Sequence, residues 1–370
     1  MTLVAALGLG GYPFLIGDLL LSRQRKETAH YAPLNTPTLS DINAALPSNS
    51  RYIASGLSRK LVLLDGRLAI GWSGYKDSAK AVIGSIRMAV ERDNVCFDGL
   101  MRLLDSFSYI LNDKLSLCGM MIRGADIELF HRGRGKHCHS EGHGDILAVG
   151  SGTDHFSEIV KSTNVHSIVK ENLPLATCAV ASCVGVALGE QMRRSSGLDL
   201  YYGGGFEIFT LDGGKIAPIE ITFLFIDVSR SADTINRTYH AILKVGYHND
   251  VLIIRKALLI NFGTELQMPN ETYILSPFYR TVDSAEVDVI KQNKIPLGSR
   301  FTGTYVHFTG AEAPVWFLMN DSHSDPAVQV VEGESEAEIH FSPTLIEKIT
   351  TKARAVYQRQ GSSDDVSYDA

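Results

Sequence analysis

The chain has 370 residues, enough for two domains, with 45% hydrophobic and 21% charged residues as in ordinary soluble globular proteins. A net charge of −6 argues against a basic surface for nucleic acid or an anionic membrane. The 5 cysteines (Cys96, Cys118, Cys138, Cys178 and Cys183), an odd number without CxxC spacing, suit free thiols in a reducing compartment.

The first 22 residues are apolar and are followed by Arg23-Gln24-Arg25-Lys26. No positive charge precedes this run, and Gly8, Gly10, Gly11, Pro13 and Asp18 interrupt it, so a cytoplasmic chain is expected rather than a signal or membrane segment. Residues 3–7 and 12–17 read instead as two strands of a hairpin. Residues 23–50 are polar and contain Pro33, Pro37 and Pro47; they read as a long surface insertion with a short helix opened by Ser40-Asp41. A second hairpin runs through 60–64 and 68–72 around Asp65-Gly66.

Asp77-Ser78 is expected to cap a helix reaching Glu91, and the spacing of Leu100, Leu103, Leu104, Phe107 and Ile110 predicts a second over 97–111. Strands follow at 115–123 and 126–131, then a basic, His-rich loop at 132–145 and a strand at 146–149. Helices are expected at 153–161 and 172–194. A hairpin, 201–211 with 215–219, turns at Asp212-Gly213-Gly214. Two antiparallel sheets between helical layers would satisfy this order. From 221 apolar and alternating runs recur at 221–228, 239–247, 251–260, 272–279, 301–309, 314–319 and 327–331, a β-rich C-terminal domain over 221–360 closed by a helix at 343–360. Residues 361–370 read as a disordered polar tail.

Thr2 directly follows Met1. Removal of a Met before so small a residue would leave a threonine with a hydroxyl and a free α-amine, a nucleophile and its base in one residue, since an α-amine titrates near pH ~7.7–8.0. Four segments then stand in order: Thr2-Leu3-Val4-Ala5 leading to Gly17-Asp18; Arg59-Lys60-Leu61-Val62 followed by Gly71-Trp72-Ser73-Gly74 and Asp77; Leu147-Ala148-Val149-Gly150-Ser151-Gly152; and Gly203-Gly204-Gly205-Phe206-Glu207-Ile208. Over residues 2–220 the chain resembles the proteasome β-subunits and the proteolytic subunit of the bacterial two-component heat-shock protease, which are N-terminal-nucleophile hydrolases.

The resemblance implies an α+β fold, a four-layer αββα sandwich over 1–220 with an added β-rich C-terminal domain. It implies a threonine-type endopeptidase cutting peptide bonds through an acyl ester on Thr2. Lys60 would lower the amine pKa through like charge, Asp18 would pair with Lys60, the Gly74 N–H would face the oxyanion, and Ser151 would bridge Thr2 to solvent or relay its proton. It further implies peptide or unfolded-protein substrates, a homo-oligomeric ring and an ATPase partner, with no cofactor.

Each residue has a plainer reading. Asp18 suits a turn, Lys60 a solvated strand edge with Arg59 competing for its role, and Ser151 a helix cap. The chain also departs from the family pattern. Tyr75 is bulky where a small residue is usual, the late Asp and Ser find counterparts only in Asp199 and Ser195 or Ser196, and 23–50 is long enough to cover the site. A catalytically silent scaffold and a small-molecule amidase of the same fold are the alternatives.

His131, His137, Cys138, His139 and His143 with Glu141 and Asp145 invite a metal. Their spacing fits no zinc motif and Arg132, Arg134 and Lys136 lie among them, so a solvated hairpin loop is expected. Gly203–Gly205 lack the helix and Lys-Ser/Thr of a phosphate loop, and Cys178 and Cys183 read as core positions.

Overall fold

A computed structural model of the chain describes residues 2–9, 11–25, 31–93, 95–140, 144–162, 173–195, 197–200, 202–231, 234–258, 270–292, 300–311, 314–320, 327–332 and 337–363. It is a mixed α+β fold with several antiparallel sheets. Two compact units divide it: Met1–Ile219 with Gly246–Ile253 and Tyr273–Ile295, and Glu220–Val245 with Ile254–Thr272 and Pro296–Ala370.

In the first unit, β1 (Leu3–Leu9) and β2 (Tyr12–Asp18) form the opening hairpin, and β3 (Leu20–Gln24) continues the chain. After α1 (Ile42–Ala45) come β4 (Tyr52–Leu57), β5 (Leu61–Leu64) and β6 (Leu68–Gly74), then α2 (Lys76–Asp93), α3 (Phe97–Ser106) and α4 (Ser108–Leu111). Strands β7 (Leu115–Arg123), β8 (Asp126–Arg132), β9 (Gly135–Ser140) and β10 (Gly144–Gly150) precede α5 (Thr153–Ser162) and α6 (Leu173–Arg194). A short 3-10 turn at Leu198–Leu200 leads to β11 (Phe206–Asp212) and β12 (Lys215–Pro218).

A six-stranded sheet runs β12-β11-β2-β1-β10-β9 and a four-stranded one β5-β6-β7-β8. Val4, Ala6, Leu15, Val149 and Phe209 of the first sheet pack with Leu61, Ala69, Cys118 and Met120 of the second. Leu68, Ile70, Trp72 and Leu117 pack on their other side with Ala79, Val82, Ile86, Leu100 and Leu104 from α2 and α3, while α5 and α6 lie against β10, β1 and β2. Covered on both faces, β1 and β2 are apolar at nearly every position instead of alternating. Burial of each large aliphatic side chain there contributes about 1.5–3 kcal/mol.

In the second unit, β13 (Ile221–Ser231) pairs antiparallel with β14 (Thr234–His248) and parallel with β17 (Phe301–Phe308). The sheet order is β16-β15-β14-β13-β17-β18, with β15 (Val251–Leu258), β16 (Asn270–Leu275) and β18 (Val315–Asn320). α7 (Ser284–Gln292) belongs to the first unit, and β19 (Val328–Glu332), β20 (Ala337–Phe341) and α8 (Pro343–Ser363) complete the chain. Leu345, Ile349, Ala353 and Tyr357 recur every fourth residue on α8 and meet Leu224, Ile226, Val306 and Phe308, which is why that helix forms here.

Several expectations are corrected. The 132–145 loop contains β9, a polar edge strand opposite β10 that solvent on one side permits. Bracketing the 23–50 insertion, Leu20–Gln24 pairs with Tyr52–Leu57 as a two-stranded sheet, hidden in sequence by Ser22, Arg23 and Gln24. α2 begins at Lys76, with Asp77 inside its first turn. The 97–111 helix divides at Phe107. Gly203–Gly205 form a turn and the strand starts only at Phe206. α7 and β20 were not expected, and α8 continues to Ser363, leaving only 364–370 of the expected tail outside the described residues.

Candidate active site

β1 and β2 run side by side with Val4 opposite Gly17, so Thr2, just before β1, falls beside Asp18 at the end of β2. The Thr2 hydroxyl donates to Asp18 Oδ1. Leu3 N–H donates to the same oxygen at 3.0 Å. Gly203 N–H and Leu20 N–H donate to Oδ2 at 2.9 and 3.3 Å. Both Thr2 and Asp18 are buried. A carboxylate surrounded by four donors accepts from all of them only when ionised.

Lys60 lies in the same buried region, 1% exposed. Its Nζ donates to the Leu20 carbonyl at 2.7 Å and sits 5.0 Å from the centre of the Trp72 ring. The expected Asp18–Lys60 pairing is thus electrostatic, with a backbone carbonyl as the direct partner of the ammonium. Burial pushes the Asp18 carboxyl up and the Lys60 ammonium down, and each charge opposes the other's shift. Lys76 adds repulsion that favours the neutral amine of Lys60.

Gly74 ends β6 with φ 120°, and a Cβ there would stand 2.2 Å from the Lys114 carbonyl oxygen, so only glycine fits. Its neighbour Ser73 belongs to the Thr2 surroundings: a Cβ on Gly150 would meet both the Thr2 carbonyl oxygen, at 2.0 Å, and Ser73 Oγ, at 3.1 Å. Gly152 N–H donates to the Thr2 carbonyl at 3.4 Å. Ser151, next in the chain, is exposed and its hydroxyl donates to the Leu200 carbonyl. It makes its bond there and not to Thr2, as the relay role would need. Nor does it cap α5, where Gly152 holds the position whose carbonyl accepts from Phe156 N–H. Asp199 is exposed, Ser195 has a left-handed φ of 54°, and Ser196 lies outside the described residues.

Four residues the sequence reading missed hold this arrangement. Glu207, fully buried, accepts from Arg59 Nε at 2.9 Å and from Leu61 N–H at 3.0 Å, which fixes the strand entrance that carries Lys60. Gln191 Oε1 accepts from Gly204 N–H at 2.8 Å and its Nε2 donates to the Tyr202 carbonyl at 3.1 Å. It thereby sets the glycine turn that brings Gly203 N–H to Asp18. Thr38, from the 23–50 insertion, donates to the same Gln191 oxygen at 2.7 Å. Tyr202 lies 2.5 Å from His155 Nδ1 through its hydroxyl, and burial, with Asp18 and Asp199 nearby, pushes its phenol up. Charge on adjacent residues was visible in sequence at Arg59-Lys60, whereas Gln191 sits in an apolar helix and gave only a polar interruption as signal.

Away from this region, His137 and His139 face Asp145 at 3.2 and 3.1 Å on the exposed β9–β10 hairpin. Glu141 and His143 lie outside the described residues, and among the described ones no group of three metal-ligating side chains forms. α6 is long and apolar enough to cross a membrane by length and composition, and 61% of its apolar window is buried within the protein. No protein-family model matches the chain, and neither does any curated protein.

Proposed function

We propose that the chain is an N-terminal-nucleophile hydrolase with the four-layer αββα sandwich, and that it is a threonine-type peptidase acting in the cytoplasm. The observation that carries the reading is the Thr2 hydroxyl donating to the buried Asp18, with Lys60 on the neighbouring Leu20 carbonyl. Sheet packed on sheet, with α2–α3 on one of them and α5–α6 against the other, supports the sandwich.

In this reading Thr2 must be the first residue of the mature chain. Its oxygen attacks the peptide carbonyl while its α-amine takes the hydroxyl proton, and Asp18 orients that hydroxyl. The Lys60 charge favours an unprotonated amine. Gly74 N–H receives the oxyanion. The C–N bond breaks as the leaving amine takes the proton back, and water then cleaves the acyl ester by the same base, releasing the acid and restoring Thr2. Peptides and unfolded chains are the substrates, handled in a homo-oligomeric ring that an ATPase feeds.

A second reading, a catalytically silent scaffold of the same fold, is favoured by the 1% exposure of Thr2. A peptide epoxyketone separates the two, because its two electrophilic carbons need a hydroxyl and a free amine on one residue. The peptidase reading expects an adduct on Thr2 in the intact mass and loss of peptide turnover in folded Thr2→Ala. A mass that retains Met1, or turnover that survives Thr2→Ala, overturns it.

A further inference from the structure

A cleft of about 600 Å³ opens in the first unit between α2 and residues 274–281. Lys76, Lys80 and Arg87 of α2 line it, with Arg280, Ser58 and Phe278 opposite or beside them, and no acidic residue is among its lining residues. The two arginines are engaged: Arg87 Nε with Glu91 at 2.7 Å, and Arg280 with Glu286 at 2.6 Å. Lys76 and Lys80 are exposed, stand one helical turn apart and have no ion pair among the described residues. Gly84, one turn further on, leaves the floor open, since a Cβ there would meet nothing within 4 Å. A mid-helix glycine costs about 1 kcal/mol relative to alanine, and here it coincides with that open space.

Two ring contacts link the cleft to Lys60. Phe278 packs on Trp72 with ring centres 5.5 Å apart, Trp72 underlies Lys60 Nζ, and Ser58 is two residues before Lys60. We propose that this cleft binds an acidic side chain of the peptide substrate, through Lys76 and Lys80. The inference rests on the peptidase reading for the word substrate. The cleft itself offers unneutralised cations beside hydroxyl donors and an aromatic wall, which suits a carboxylate on an aliphatic stem.

The test is equilibrium binding of two fluorescent hexapeptides, alike except for a central Glu or Gln, to the full chain and to Lys76→Gln/Lys80→Gln, read by anisotropy. The Glu peptide is expected to bind about tenfold more tightly, the effect of two solvent-facing ion pairs. The preference should vanish in the double variant and shrink at about 0.5 M salt. Equal affinity for the two peptides, or a Glu preference that persists in the double variant, overturns the proposal. Turnover of the same peptides is measured in parallel. Glu-selective binding without turnover sinks the peptidase reading and keeps the cleft, whereas turnover without selectivity does the reverse.

Discussion

Asp18→Asn tests the charge state on which the site depends. Four groups donate to the Asp18 carboxylate, two at each oxygen. An Asn has one acceptor oxygen, so its NH₂ must face either Leu20 and Gly203 N–H or Leu3 N–H with the Thr2 hydroxyl. At least one buried main-chain donor is orphaned in either orientation, at about 1–3 kcal/mol. Lys60 also loses its neighbouring charge while staying buried, and breaking such a pair costs about 3–5 kcal/mol. Together these amount to a loss of about 4–8 kcal/mol, and adding Lys60→Met should recover at least about 1 kcal/mol of it through coupling. The chain has 2 tryptophans, so urea unfolding in a Trp316→Phe background follows Trp72, which lies against Lys60. The rival state is a protonated Asp18, toward which burial pushes it. A loss below about 1 kcal/mol, or strict additivity with Lys60→Met, would show the carboxyl to be neutral and refute the argument from four donors.

Two further perturbations probe the first unit. Burial holds the Cys118 thiol up at about 12 against an ordinary 9.0, so between these values the unfolded thiol ionises and the folded one does not. The folded pKa is the higher one, so its stability contribution is complete below pH 9 and is lost as pH rises, by roughly 4 kcal/mol at pH 12. Comparing the pH dependence of unfolding for wild type and Cys118→Ala should remove that slope; an unchanged slope above pH 9 assigns it elsewhere. Gly203→Ala places a Cβ 2.0 Å from Gln191 Nε2 at φ 120°, which should displace Gln191, withdraw the Gly203 N–H from Asp18 and destabilise the unit by about 2–4 kcal/mol. Thermal unfolding unchanged to within about 1 °C would mean that this turn does not support the site.

How much of this was legible in the sequence depended on whether a residue acts through its own chemistry or through a distant partner. The hairpin of β1 and β2 was visible because Gly8-Leu9-Gly10-Gly11 separates two apolar runs, and its register alone sets Thr2 beside Asp18. The doublet Gly203-Gly204 was visible as a motif, but not its task, which needs Gln191 from α6 and the main chain of Tyr202. Ser151 is placed at the site by resemblance to a family motif, and a hydroxyl's actual partner, here the Leu200 carbonyl, is not written in a motif. Strands β3 and β9 escaped because Ser22-Arg23-Gln24 and most of β9 are polar: a short two-stranded ribbon and a sheet edge need no apolar alternation.

In sequence Lys60 is preferred to Arg59 for its spacing to Gly74, and in the structure the two side chains have different partners. Adjacent residues in extended chain point to opposite sides. Lys60 turns to the Leu20 carbonyl and the Asp18 side, whereas Arg59 turns to Glu207, stacks 5.4 Å over Tyr247 and donates to the Asp250 carbonyl. Each cation is buried, so each needs an anion or carbonyls within reach. Glu207 is hydrogen-bonded to both Arg59 and the Leu61 N–H. A slip of one residue would place either Arg59 beside Asp18 with Ser58 beside Glu207, or Lys60 beside Glu207 with Leu61 beside Asp18. An ammonium has three donors but cannot present the planar fork that spans Glu207 and Asp250. The arginine–glutamate pair therefore fixes the register that turns Lys60 toward the Leu20 carbonyl and the Asp18 charge.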